Sequence, residues 1–173
     1  MPERFMRSIR LLAECYQAFE QTSGRHVRQL GLTPAQFDIV ATLGRTEGMT
    51  FKQLGEMTLI TKGTLTGVVD RLADKGLVAR APSARDGRST VVRLTAAGDR
   101  LFDRIFPAHI GYLKRRFKAF GACDLDALER QLTVLREALA SADPAGEAGG
   151  DPAQAGADPA PAITASRVRR PSS

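Results

Sequence analysis

Between Thr61 and Thr95 the sequence TKGTLTGVVDRLADKGLVARAPSARDGRSTVVRLT changes its periodicity twice within 35 residues. Leu65, Val68, Val69 and Leu72 recur at i, i+3, i+4 and i+7, one buried stripe of a helix, and Gly76 supplies the stop. Leu77-Val78-Ala79-Arg80-Ala81 and Val91-Val92-Arg93-Leu94 then read as two strands joined by the turn-rich PSARDGRST. A helix that runs straight into a short hairpin limits the chain to a mostly helical fold with a small β element.

The segments before this run are helical. Leu32-Thr33-Pro34 predicts a helix with Thr33 at the N-cap and Pro34 at N1, followed by apolar Phe37, Val40 and Leu43 before Gly44. Thr50 starts a short helix, FKQLGEMTL, and Thr61 caps the next one. Two short helices joined by a tight turn form a helix-turn-helix. The buried stripe of the second leaves Lys62, Gly63, Thr64, Thr66, Gly67, Asp70 and Arg71 facing outward. That face is small and polar near its start. Small residues let a helix backbone approach a DNA major groove, hydroxyls and Lys62 reach base edges or phosphates, and the positive helix N-terminus favours phosphate. A plain solvated surface would share this composition.

Charge separates the two readings. The net charge is +6, and the segment from Thr61 to Thr95 holds seven basic residues against three acidic ones. Arg85 and Arg88, set around the Asp86-Gly87 turn at the hairpin tip, suit a narrow minor groove next to the helix. Asp86 would be repelled by phosphate and is expected to orient an arginine or cap the turn.

At the amino end Phe5, Ile9, Leu12, Tyr16 and Phe19 alternate in steps of four and three, and Leu125, Leu128, Leu132, Leu135 and Leu139 do the same near the other end. Such seams suit terminal helices that pack together or against a second copy, or the core of a monomer. A further helix is expected from Ala96 to Phe120, with Thr95 as N-cap, a kink at Pro107 and a stop at Gly121. From Asp143 onward Ala, Pro and Gly dominate, the composition of a disordered tail. Its four acids and three arginines leave a net charge of +7 on residues 1–142.

The run TKGTLTGVVDRLADKGLVARAPSARDGRSTVVRLTAAG resembles the MarR-type winged-helix transcription regulators: it carries a recognition helix, the Asp70-Arg71-Leu72 and Lys75-Gly76-Leu77-Val78 boundary, a wing with Asp86-x-Arg88, and the Leu94-Thr95-x-x-Gly98 start of the next helix. The resemblance extends over residues 5–141. It implies a winged helix-turn-helix at about 33–95 between dimerisation helices at about 3–30 and 96–142, with the tail at 143–173 outside the domain. It also implies a homodimer on a palindromic double-stranded DNA operator. The DNA-contacting set is then Thr61, Lys62, Gly63, Thr64, Thr66, Gly67, Arg71, Arg85, Asp86 and Arg88. Many such regulators are repressors relieved by small aromatic acids, acyl-CoA thioesters or oxidants.

An aromatic acid needs flat apolar walls and one cation, which makes Tyr16, His26, Arg28, Phe37 and Tyr112 the effector-pocket candidates. Cys15 resembles the first-helix cysteine of the oxidant-sensing branch, although Phe37 stands where a tyrosine would help; the plainer expectation is a half-buried apolar filler. Cys15 and Cys123 show no metal-ligand or disulfide-framework spacing, and His26 and His109 are too few for the zinc-sensing branch, so neither metal nor cofactor is expected. No P-loop, dinucleotide fingerprint or nucleophile elbow argues for an enzyme. A protein-interaction adaptor would use the same fold without explaining the basic hairpin. With no apolar run of membrane-spanning length and no secretory pattern in MPERFMRSIRLL, a cytoplasmic protein without a membrane partner is expected.

Overall fold

The computed structural model describes residues 3–58, 60–82 and 89–141, except the side chain of Lys62. Arg85, Asp86 and Arg88 of the hairpin tip, and the segment from residue 142 onward, lie outside the described residues. The chain divides into two compact units, one within Met1–Tyr112 and one within Leu113–Asp158.

The first unit holds α1 (Arg4–Gln29), α2 (Pro34–Leu43), β1 (Met49–Thr50), α3 (Phe51–Met57), α4 (Lys62–Asp74), β2 (Val78–Pro82), β3 (Thr90–Leu94) and most of α5 (Ala96–Lys114). Local capping chemistry fixes the starts of its short helices. Thr33 and Gln36 form a reciprocal capping box at α2, with Pro34 inside the first turn, and Thr50 and Gln53 repeat the device at α3. Each box satisfies two of the amides that a helix start leaves without a partner.

α4 ends as Gly76 predicts. Gly76 adopts φ +68°, its amide donates to Ala73 O (2.8 Å), and the next amide, of Leu77, donates to Leu72 O (2.9 Å). The chain thereby reverses into β2. β2 and β3 pair antiparallel with Arg80 opposite Val92. The pairing of β1 with β3, Met49 opposite Val92, makes the sheet three-stranded in the order β1-β3-β2. Sequence periodicity predicts only the hairpin; a strand of two residues has no alternation to read.

One core joins these elements. Leu65, Val68, Val69 and Leu72 of α4 are all buried, against Ile39, Val40 and Leu43 of α2, Leu54 of α3, Val78, Val92 and Ile105. Cutting a side chain such as Leu72 back to Ala costs about 2–5 kcal/mol in such surroundings. α2 is buried along its whole length from Gln36 to Leu43, Asp38 and Thr42 included, rather than along one apolar face. It is the central helix, packed by α1, α3, α4 and β3.

Thr95 ties the hairpin to α5: its hydroxyl donates to Gly76 O (2.6 Å) and accepts the Gly98 amide (3.1 Å). A Cβ on Gly98 would collide with the Leu77 carbonyl, so only glycine lets the two backbones approach there. α5 runs on past Pro107 to Lys114 and not to Phe120. In the second unit the amide of Arg116 turns back to Leu113 O (2.7 Å), an i to i−3 bond that tightens the chain out of α geometry. Gly121 does not end that helix but is the N-cap of α6 (Ala122–Ala140), where Asp124 accepts its amide at 2.9 Å. Leu128, Leu132, Leu135 and Leu139 of α6 are exposed, as are Phe5, Ile9, Leu12 and Tyr16 of α1 in the first unit.

Candidate nucleic-acid interface

The burial of α4 defines its opposite side. Gly63, Thr66 and Arg71 are exposed, and Thr64 and Gly67 are half-exposed. Beyond its chain neighbours and the backbone of the helix itself, no atom of the described residues lies within 4 Å of where a Cβ on Gly63 would stand, so the first turn of the helix is open there. Thr61 holds the N-cap position, but its hydroxyl donates to Thr64 Oγ1 (3.1 Å) instead of accepting an amide of the first turn. The helix start therefore keeps its positive end without a side-chain cap. Small size, hydroxyls and an open N-terminus occur together on one face.

Arg80 contributes differently from a free charge. Its guanidinium pairs with Asp70 on α4 and sits over the Phe51 ring, 5.4 Å from the centroid. It braces β2 against α3 and α4 and neutralises Asp70 on the outer face of α4. Among the described side chains of that face, Arg71 carries the positive charge.

The five effector-pocket candidates separate into groups. His26 and Tyr112 stack with ring centroids 4.1 Å apart, and Phe37 meets His109 edge-on at 4.7 Å. Nδ1 of His26 lies 3.0 Å from Nδ1 of His109, whose Nε2 lies 3.2 Å from Ser23 Oγ. His109 is 1% exposed. Burial, and then the neighbouring His26, push its pKa down to about 4, so the imidazole is neutral at pH 7. In the sequence His109 stands out only as a metal-ligand type; its place four residues beyond Ile105 on the buried face of α5 is the signal of its burial. Tyr16 stands apart, exposed on α1, its hydroxyl pushed up by partial burial and by Glu20. Arg28 lines a different groove, with Arg71 and Lys75.

Cys15 is exposed, not the half-buried filler that the sequence predicts, because its stretch of α1 is covered by no other part of the first unit. Among the described residues no three His, Cys, Asp or Glu side chains come together as a metal site, and no helix is long and apolar enough to cross a membrane.

The model of the MarR family matches residues 30–89, the span from the residue after α1 to the residue before β3. The HTH-type transcriptional regulator MhqR of Bacillus subtilis (strain 168) is 30% identical over 109 residues, which are 63% of this chain and 75% of that protein. The organic hydroperoxide resistance transcriptional regulator of the same organism is 33% identical over 113 residues, 64% of this chain and 74% of that one. Among solved structures, AbsC of Streptomyces coelicolor, a MarR family transcriptional regulator, aligns with a TM-score of 0.73 and 23% identity over 81% of this chain and 97% of that one. The capped helix pair, the hairpin braced on α4 and these likenesses agree: the chain belongs to the MarR family of transcriptional regulators.

Proposed function

We propose that the chain represses transcription by binding a palindromic double-stranded DNA operator as a homodimer, and that a small aromatic or acyl-CoA-type ligand releases it. The observation that carries the reading is the outer face of α4, where Gly63, Thr64, Thr66 and Gly67 combine closeness of approach and hydroxyls at an open helix start with one cation, Arg71, in the last turn. Thr61 and Lys62 extend that face at its amino end. In this reading α4 enters the major groove, while Arg85 and Arg88, oriented by Asp86, enter the minor groove beside it.

The exposed rows on α1 and α6 support a dimer, since a monomer would leave Phe5 at 56% and Leu132 at 45% exposure in water. His26, Phe37 and Tyr112 are the candidate walls for an effector, with Tyr16 and Arg28 as further candidates on α1. A cytoplasmic site of action follows from the DNA target. The experiment is a mobility shift with DNA from upstream of the protein's own gene. A shift of that fragment but not of a scrambled one supports the reading, and an equal response to both opposes it.

A second reading rests on Cys15, whose exposure on α1 makes it accessible to oxidants, and on the likeness to a hydroperoxide resistance regulator. If peroxide releases the parent protein from DNA but not Cys15→Ser, thiol sensing replaces ligand release. If both proteins respond alike, Cys15 is not the sensor.

A further inference from the structure

The end of α1, the loop after it, the start of α2 and the last turn of α4 enclose an open groove of about 610 Å³. Arg28, Arg71 and Lys75 line it against one carboxylate, Asp74. Neither the Arg10–Glu14 pair nor the Asp70–Arg80 pair involves any of these three cations. Helix dipoles account for part of this placement, because Arg28 and Arg71 lie in the last turns of α1 and α4. They account as well for the position of Lys75, the C-cap of α4, but not for where its side chain reaches. Its ammonium lies 3.4 Å from Gln36 Oε1, inside the capping box at the start of α2, where the helix dipole repels a cation. An anion in the groove would relieve that repulsion.

The row of residues along α4 indicates where the anion comes from. Gly63, Gly67, Arg71 and Lys75 are spaced by four and form a ridge that winds about 120° around the helix from first to last. The Arg71 side chain runs back along that ridge, with Nη1 3.6 Å from where a Cβ on Gly67 would be. The ridge begins at the small, open end proposed to face the base edges and finishes in the cationic groove. From Gly63 to Lys75 the rise is about 18 Å, longer than the roughly 12 Å width of a major groove. A helix whose first turn sits in the groove therefore carries its last turn over the rim, where the phosphates are.

We infer that this groove seats a backbone phosphate of the bound duplex, held by Arg28, Arg71 and Lys75. The inference rests on the DNA-binding reading and adds a third contact zone to α4 and the hairpin tip. A phosphate contact positions the protein without reading sequence, so its loss weakens binding to all duplexes alike.

The test is fluorescence anisotropy over a salt series, using the full chain, a labelled duplex from upstream of its own gene and a scrambled duplex. Arg28→Ala and Lys75→Ala are each expected to shrink the slope of log K against log salt by about 0.9, and the double variant by about 1.8, on both duplexes. Melting curves should match the parent, since both side chains are exposed. Arg10→Ala, which removes a cation paired with Glu14 elsewhere on α1, should leave the slope unchanged. A parent-like slope in the double variant, while the parent binds and Gly63→Glu does not, overturns the groove assignment and leaves the DNA reading intact. A parent that binds neither duplex overturns both. Inorganic phosphate that raises the melting temperature of the parent but not of the double variant, with slopes unaltered, would make the groove a small-anion site and overturn the inference.

Discussion

Lowering the pH from 7 to 5 should destabilise the protein through one residue, His109. Folding holds its imidazole neutral against Ser23, His26, Phe37 and Tyr112 and lowers its pKa from 6.5 to about 4. The unfolded chain therefore takes up a proton near pH 6.5, and the folded chain does so only near pH 4. The stabilisation is full above that window and falls as pH drops through it, by about 1.4 kcal/mol per pH unit in its middle. Between pH 7 and pH 5 the loss is about 2 kcal/mol, a large share of the roughly 5–15 kcal/mol that holds a typical domain folded. His109→Gln keeps a polar side chain beside Ser23 and cannot titrate. Urea unfolding followed by circular dichroism, at fixed protein concentration and a series of pH values, gives both stability curves. The gap between parent and variant should change by about 2 kcal/mol over this range, a relative midpoint shift of about 1 M urea. Curves that stay parallel to within about 0.5 kcal/mol would show that His109 is not held neutral by the fold, since the linkage then has no unfolded-state proton to count.

Three other outcomes follow from the same structure. Light scattering at micromolar concentration should give about twice the 18.7 kDa chain mass, and Leu12→Glu, which puts a charge into the exposed row of α1, should return the mass to that of one chain. Thr64→Ala should alter the ranking of operator variants more than the average affinity, because in the proposed binding mode this hydroxyl faces base edges rather than phosphates. Removal of residues 143–173, a segment of Ala, Pro and Gly with little to bury, should leave operator affinity within about tenfold, or roughly 1.4 kcal/mol, of the parent.

Local chemistry was legible in the sequence, and pairing at a distance was not. Thr33, Thr50 and Gly76 mark helix ends because a capping hydroxyl or a left-handed glycine acts within three or four residues, a range any reader of the chain can see. The stripe from Leu65 to Leu72 was readable for the same reason: one helix buries one face. β1 was not, since Met49 and Thr50 become a strand only through Val91 and Val92, far along the chain. The end of α5 misled because Phe117 and Phe120 continue its apolar spacing; their rings instead face each other at 5.8 Å, beyond the helix. In the site, the outer face of α4 followed directly from the inner one. The groove of Arg28, Arg71 and Lys75 needs three elements folded together, so no local pattern in the sequence brings these three cations into one place.

The measurement closest to the central claim, that the outer face of α4 enters DNA, is the binding of Gly63→Glu. Open space surrounds this position, so the fold accepts the side chain, and a carboxylate in the first turn of a helix favours the helix dipole. Its melting temperature should equal or slightly exceed that of the parent. Against the bases and phosphates of a major groove the same carboxylate meets negative charge at close range, and anisotropy should show affinity for the upstream duplex reduced by at least about a hundredfold, roughly 2.7 kcal/mol. A stable Gly63→Glu protein that binds the duplex as tightly as the parent would place the DNA somewhere other than α4.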